Sequence, residues 1–332
     1  MEGAPRREAE APKIDTQDVR VTLRPGVRDA LWMAAGAGTL LLLVLLILHF
    51  RKEASPTAQL AFKAERVDLV GQMQLGLASA SEAEKSAVLA ISDQESQAFV
   101  DQARTATASV ERERVELQQL LARGGTQGER DLLDEFFQLF GELQRIDDEL
   151  LKLAVQNTNL KAYALAFGPA ANALNEMSSA LSRLVTANAD SPDAKQVLRL
   201  ALGAQIAALR IEALLPPHIA EASDARMDQF EAQMAQQDGE VQSDLTGLAA
   251  LPKLQGSSDL ATATSRYAEF RGTKSQILKL SRENTNVRSL SISLNQKRKV
   301  MLSCQEALAH LQTAVLGEPI EGVTYGRPAK PR

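Results

Sequence analysis

The sequence predicts an all-α fold: an N-terminal transmembrane helix followed by a long antiparallel four-helix bundle made of a duplicated helical hairpin. Three observations carry this. Aromatic residues are only 4% of the 332 residues while Ala, Leu, Gln, Glu, Lys and Arg abound, which suits long helices and leaves little for a sheet to pack. Helix breakers after residue 50 are sparse and fall at regular intervals. A stretch also occurs nearly twice, LLKLAVQNTNLKA at 150–162 and ILKLSRENTNVRS at 277–289, an offset of 127 positions.

Residues 1–29 read as a short flexible tail. Residues 31–50, LWMAAGAGTLLLLVLLILHF, carry no Asp, Glu, Lys or Arg. About 20 such residues make a helix of about 30 Å, the thickness of a bilayer's hydrocarbon core. Arg28 and Asp29 bound the run on one side and Arg51 and Lys52 on the other, with Trp32 and Phe50 near the two interfaces. We read 30–50 as an uncleaved anchor rather than a signal peptide, because the run is long and no small-residue cleavage site follows it. Lys and Arg balance across the anchor, three in 16–30 and three in 51–65, so charge alone leaves the orientation tied.

The bundle is expected over 51–316. Gly124, Gly125 and Gly128 mark one stop, residues 188–192 a second and residues 252–258 a third. Thr126 and Glu129 have capping-box spacing, and Ser191-Pro192 reads as an N-cap followed by proline at the first helical position. Four rods follow, at about 57–122, 128–187, 192–250 and 258–316, each about 90 Å long if unbroken. The offset of 127 also matches Leu75-Gly76 with Leu202-Gly203, Asp101 with Asp228, Phe140 with Tyr267 and Ala180-Leu181 with Ala307-Leu308. Repeat one therefore covers about 57–187 and repeat two about 192–316, two αα-hairpins closing into one bundle. Residues 317–332 read as a disordered C-terminal tail.

The second rod shows a seam with spacings of four and three: Leu143, Ile146, Leu150, Leu153, Asn157, Leu160, Ala164, Phe167, Ala171, Leu174. The fourth rod repeats it, with Asn284 at the position of Asn157. A buried amide without a partner costs about 1–3 kcal/mol, so both need one. Two readings stay open. The amides fix register, as a single polar core residue does in coiled coils. Alternatively Asn157, Asn159, Lys161, Asn284, Asn286 and Arg288 line a pocket for a small polar or anionic ligand. A hairpin turning near residue 125 sets Asp93 across from Asn157, and a turn near 253 sets His218 and Glu221 close to Asn284. His218 reads as a satisfied histidine. Pro216-Pro217 and Gly168-Pro169, which have no counterpart in the other copy, should kink or interrupt their helices.

Other classes find little support. The net charge of -5 and the lack of a basic stripe argue against nucleic acid. Three scattered histidines and a single cysteine, Cys304, offer neither a metal set nor a disulfide, and no paired carboxylate with a substrate cleft or glycine-rich phosphate loop is evident. The expectation is no enzyme, no cofactor and no metal. The runs ERERVE at 111–116 and NQKRKV at 295–300 read as solvated faces.

An anchor followed by AEKSAVLAISDQESQAFVDQA and ELLKLAVQNTNLKAYALAFGPA resembles the four-helix-bundle sensory domain at the front of methyl-accepting chemotaxis receptors. The resemblance covers residues 30–185 and is echoed to 316. It implies a bundle on the extracytoplasmic, periplasmic side of the cytoplasmic membrane, usually dimeric, that recognises small ligands at a helix interface. Such receptors continue into a second span and a signalling domain, whereas GEPIEGVTYGRPAKPR holds no apolar run. The expected function is thus a membrane-anchored sensory module that binds a small ligand or partner and lacks its own output domain. Its expected partners are membrane lipid, a second copy of the chain and a separate signalling protein. The alternative is a coiled-coil-like spacer of the cell envelope.

Overall fold

The computed structural model describes residues 55–320 and the isolated position Gly26. The predicted anchor at 30–50 lies outside the described residues, as do the N-terminal tail apart from Gly26 and the C-terminal tail beyond residue 320. No helix among the described residues is long and apolar enough to cross a membrane. Residues 61–320 form one compact unit.

Every regular element among the described residues is helical, so the all-α class holds. The elements are α1 (Pro56–Leu89), α2 (Asp93–Gly124), α3 (Gln127–Ala154), α4 (Thr158–Leu165), α5 (Ala171–Ala187), α6 (Ala194–Ala220), α7 (Asp224–Ala249), α8 (Ser258–Glu283), α9 (Thr285–Ile292) and α10 (Arg298–Gly317). Five-residue π-helical turns, Ala166–Ala170 and Ser293–Lys297, join α4 to α5 and α9 to α10.

The three predicted turns form where the breakers stand. At the first, Thr126 and Glu129 make the reciprocal capping box. At the second, α6 begins two residues later than expected, and Ser191 accepts the Asp193 N–H at 3.1 Å instead of capping the helix. The rods themselves differ from expectation, since each is broken near its middle. The connections at 90–92 and 221–223 turn the chain back, so that α6 pairs with α7 as an antiparallel hairpin, and α1 with α2, where Ser96 Oγ donates to Ala87 O at 3.2 Å. Gly76 of α1 packs close to Val110 of α2, where a Cβ would lie 2.6 Å from Val110 Cγ2. Arg210 of α6 reaches Gln237 of α7 at 3.3 Å. The first of these turns has a sequence signal. Ser92 Oγ accepts the Glu95 N–H at 3.2 Å while the Glu95 carboxylate accepts the Ile91 N–H at 3.3 Å, a helix start that replaces the interior of the first rod.

The single long bundle is accordingly replaced by two four-helix bundles. The first comprises α1, α2, α3 and α10 around Met73, Leu77, Val110, Leu117, Leu121, Phe136, Phe140, Cys304, Leu308 and Leu311. The second comprises α5, α6, α7 and α8 around Leu174, Met177, Leu181, Ala204, Ile211, Val241, Leu248, Phe270 and Ile277. Fully burying each large apolar side chain stabilises the fold by about 1.5–3 kcal/mol. Each bundle takes three helices from one copy of the repeat and its fourth from the other. The composite helices α3–α4–α5 and α8–α9–α10 run antiparallel through both: Lys297 meets Asp147 at one end and Asp259 meets Arg183 at the other.

The break also rephases the predicted seam. Beyond the waist, Ala162, Ala166, Ala170, Ala173 and Met177 are buried beside the predicted Leu174, whereas Phe167, expected inside, is 69% exposed. Pro169 has no N–H to donate, and the chain around it adopts the wider π turn in place of a regular α turn. Pro216 and Pro217 sit inside α6, which continues to Ala220.

Candidate functional site

The two composite helices cross where their Asn-Thr-Asn motifs meet. Asn157 and Asn284 are the only non-glycine residues with positive φ among the described residues, at 49° and 52°. Asparagine tolerates this left-handed conformation better than other side chains with a Cβ. It ends one helix and starts the next, leaving the first N–H groups of α4 and α9 without intrahelical acceptors.

Those groups are satisfied across the crossing. The Thr158 N–H donates to Thr285 Oγ1, and the Thr285 N–H to Thr158 Oγ1, both at 3.1 Å. The Asn159 N–H donates to Asn286 Oδ1 at 3.2 Å, and the Asn286 N–H to Asn159 Oδ1 at 3.1 Å. Each motif thus caps the helix of its twin, and the offset of 127 in these bonds makes the arrangement a pseudo-two-fold. The amides close the layer. Asn159 Nδ2 donates to Asn284 Oδ1 at 2.8 Å and to Ile219 O at 2.6 Å. Asn286 Nδ2 donates to Asn157 Oδ1 at 2.9 Å. Asn157 Nδ2 reaches Ser96 Oγ at 3.0 Å and Asp93 Oδ1 at 3.1 Å, and Asn284 Nδ2 reaches Glu221 O at 2.8 Å.

Six of the seven predicted site residues therefore come together. Asp93 faces Asn157 as the hairpin geometry requires, and Lys161 pairs with it at 2.9 Å. The Lys161 hydrogen bond, with that of Asn157 second, holds the Asp93 carboxyl below its ordinary range. Both partners are exposed, so this ion pair contributes little. Arg288 is exposed on α9, and its backbone N–H donates to Asn284 O at 3.0 Å. The amides face one another and the backbone. Thr158, Thr285 and Ser96 complete the layer; the threonines lie inside the repeated motif, but their role depends on a partner helix the sequence does not identify.

Two ionic networks flank this waist, one in each bundle. In the second bundle, His218 Nδ1 lies 2.8 Å from Ser281 Oγ and Nε2 lies 2.9 Å from Glu231 Oε1. Arg282 Nε donates to the same carboxylate oxygen at 2.8 Å. His218 is thus the satisfied histidine its sequence suggested, and burial pushes its pKa below the usual value against the opposing pull of Glu231. Burial pushes Glu231 up, but its bonds to Arg282 and His218 outweigh that and hold it low. A serine-histidine-carboxylate chain is the connectivity of a hydrolytic triad. Here Ser281 and His218 are both 0% exposed, so in this arrangement a substrate has no way to reach the hydroxyl.

In the first bundle, Lys297 Nζ lies 3.1 Å from Glu84 Oε2 and 2.6 Å from Asp147 Oδ1. Lys297 comes from NQKRKV and is buried, as is Arg114 of ERERVE. Those runs are consequently not wholly solvated faces. Charge patterning in one dimension does not say which member of a run a helix turns inward. Comparison with protein-family models and with curated proteins finds no match to this chain.

Proposed function

We propose that this chain is a membrane-anchored, extracytoplasmic sensory module of chemoreceptor type that binds a small ligand or partner, with the waist acting as a joint between its two bundles. The observation that carries the reading is the paired break at Asn157 and Asn284. A spacer needs long helices that run on without interruption, and the apolar seams on either side would support them. Instead both composite helices stop at the same level, adopt left-handed residues, and gain a π turn within ten residues. π turns recur at functional sites, and the Ser293–Lys297 turn contains no proline to account for it. A polar layer held by specific hydrogen bonds can exchange between discrete arrangements.

The second reading is an envelope spacer, favoured by the internal satisfaction of the waist amides, which by itself accounts for their burial. One experiment separates the two. A metabolite thermal-shift screen is run on the full-length chain with spin labels at Leu75 and Leu202, exposed residues in opposite bundles. The sensory reading expects a metabolite that raises the melting temperature through binding to the folded state and changes the interlabel distance. No stabilising metabolite, or one that leaves the distance fixed, favours the spacer.

A further inference from the structure

The duplication supplies an internal control for the buried ions of the first bundle. By the 127 offset, Glu84 corresponds to Ile211 and Lys297 to Ala170, both buried and apolar in the second bundle. The framework therefore closes its core without charges at these two positions, while Asp147 corresponds to Lys274, which lies 3.7 Å from Asp238. Burying ions is costly, and well-packed apolar residues in their place are commonly as stable or more so. The framework itself thus does not require a charge at the positions of Glu84 and Lys297.

This pair also sits at the bottom of an opening. A groove of about 560 Å³ between α1 and α10 is lined by the buried Glu84 and Lys297 at its floor and by the exposed Glu82, Lys85 and Arg298 at its mouth. Ala78 and Gln305 line it too. Their counterparts in the second bundle, Gln205 and Ser178, are joined by a hydrogen bond of 2.9 Å that spans the corresponding surface. Glu84 is 1% exposed and Lys297 3%. The lysine's two contacts, to Glu84 Oε2 and Asp147 Oδ1, are ion pairs without hydrogen-bond geometry, and Glu84 Oε1 is buried with no partner of either kind. Two carboxylates face one ammonium, and burial pushes the Asp147 carboxyl above its ordinary range, against the pull of Lys297. An incoming anion would bring a third negative group to Lys297. A donor with positive charge would satisfy Glu84 Oε1.

We infer that this groove is a binding site for a small ligand presenting a primary ammonium group, received by Glu84 with Asp147 and Lys297 behind it. An anionic group on the ligand, where there is one, meets Lys85 and Arg298 at the mouth. The site deepens the sensory reading and rests on it for its biological meaning, but occupancy is measured independently of signalling.

The test is calorimetric titration of the full-length chain with ethanolamine, β-alanine and propionate. Binding of ethanolamine or β-alanine but not propionate is expected, and it should weaken at least about tenfold in Glu84→Gln, which removes a charge-assisted bond. That variant is isosteric and leaves Lys297 paired with Asp147, and circular dichroism checks its fold. Arg298→Ala, at an exposed position, should weaken β-alanine and spare ethanolamine. If neither amine binds, if propionate binds as well as the amines, or if folded Glu84→Gln binds them undiminished, the inference is overturned. A different metabolite found by thermal shift would then leave the sensory reading standing without this site.

Discussion

Replacing Asn157 by alanine removes three side-chain hydrogen bonds: two donated to Asp93 and Ser96, and one accepted from Asn286. At about 0.5–1.5 kcal/mol each, they account for about 1.5–4.5 kcal/mol. Alanine must also hold the left-handed conformation at φ 49°, at an additional cost of about 1–2 kcal/mol. The expected loss is about 4 kcal/mol, or roughly 10 °C in melting temperature for a unit of this size. Glycine at the same position loses the same bonds and adopts the backbone without strain. Asn157→Gly should therefore be about 1 kcal/mol more stable than Asn157→Ala, reversing the usual helix-interior order. Leucine, which a continuous seam would welcome, should be no better than alanine. Chemical denaturation followed by far-UV circular dichroism measures all three. Glycine less stable than alanine, or both within about 1 kcal/mol of the parent, would refute the capping argument.

Two more outcomes are expected at the flanking networks. Lys297→Met leaves Glu84 and Asp147 facing each other in the interior and should destabilise by about 3–5 kcal/mol, whereas Glu84→Ile, Asp147→Leu and Lys297→Met together should be neutral or stabilising by about 1–4 kcal/mol. Denaturation midpoints at neutral pH check the pair. Burial lowers the folded pKa of His218 beneath its ordinary 6.5, so the unfolded chain takes up the proton first as pH falls. The stability tied to neutral His218 is present above about pH 6.5 and is lost as pH drops toward the folded value. His218→Gln should accordingly lose less stability than the parent between about pH 7.5 and 5.5. An equal loss in both proteins would show that other groups set the acid limb.

Much of the architecture was legible in one dimension. Helical class follows from composition, and the turns at 125–126, 188–193 and 250–257 follow from glycine, proline and capping residues whose preferences are local. The duplication follows from a constant offset, and the facing of Asp93 with Asn157 from antiparallel counting. Ser92 and Glu95 carry the spacing of a helix start that the four-rod reading passed over.

Tertiary structure decided the rest, because the deciding groups lie far apart in sequence. A left-handed asparagine and a helical one have the same neighbours in the chain, and only the second motif, 127 residues away, supplies the acceptors that make the break stable. The same holds for Lys297, whose burial depends on carboxylates from α1 and α3. Sequence fixes local preference and periodicity. Which copy completes which bundle is set by the crossing of two helices, and that is a property of contacts between segments rather than of any one segment.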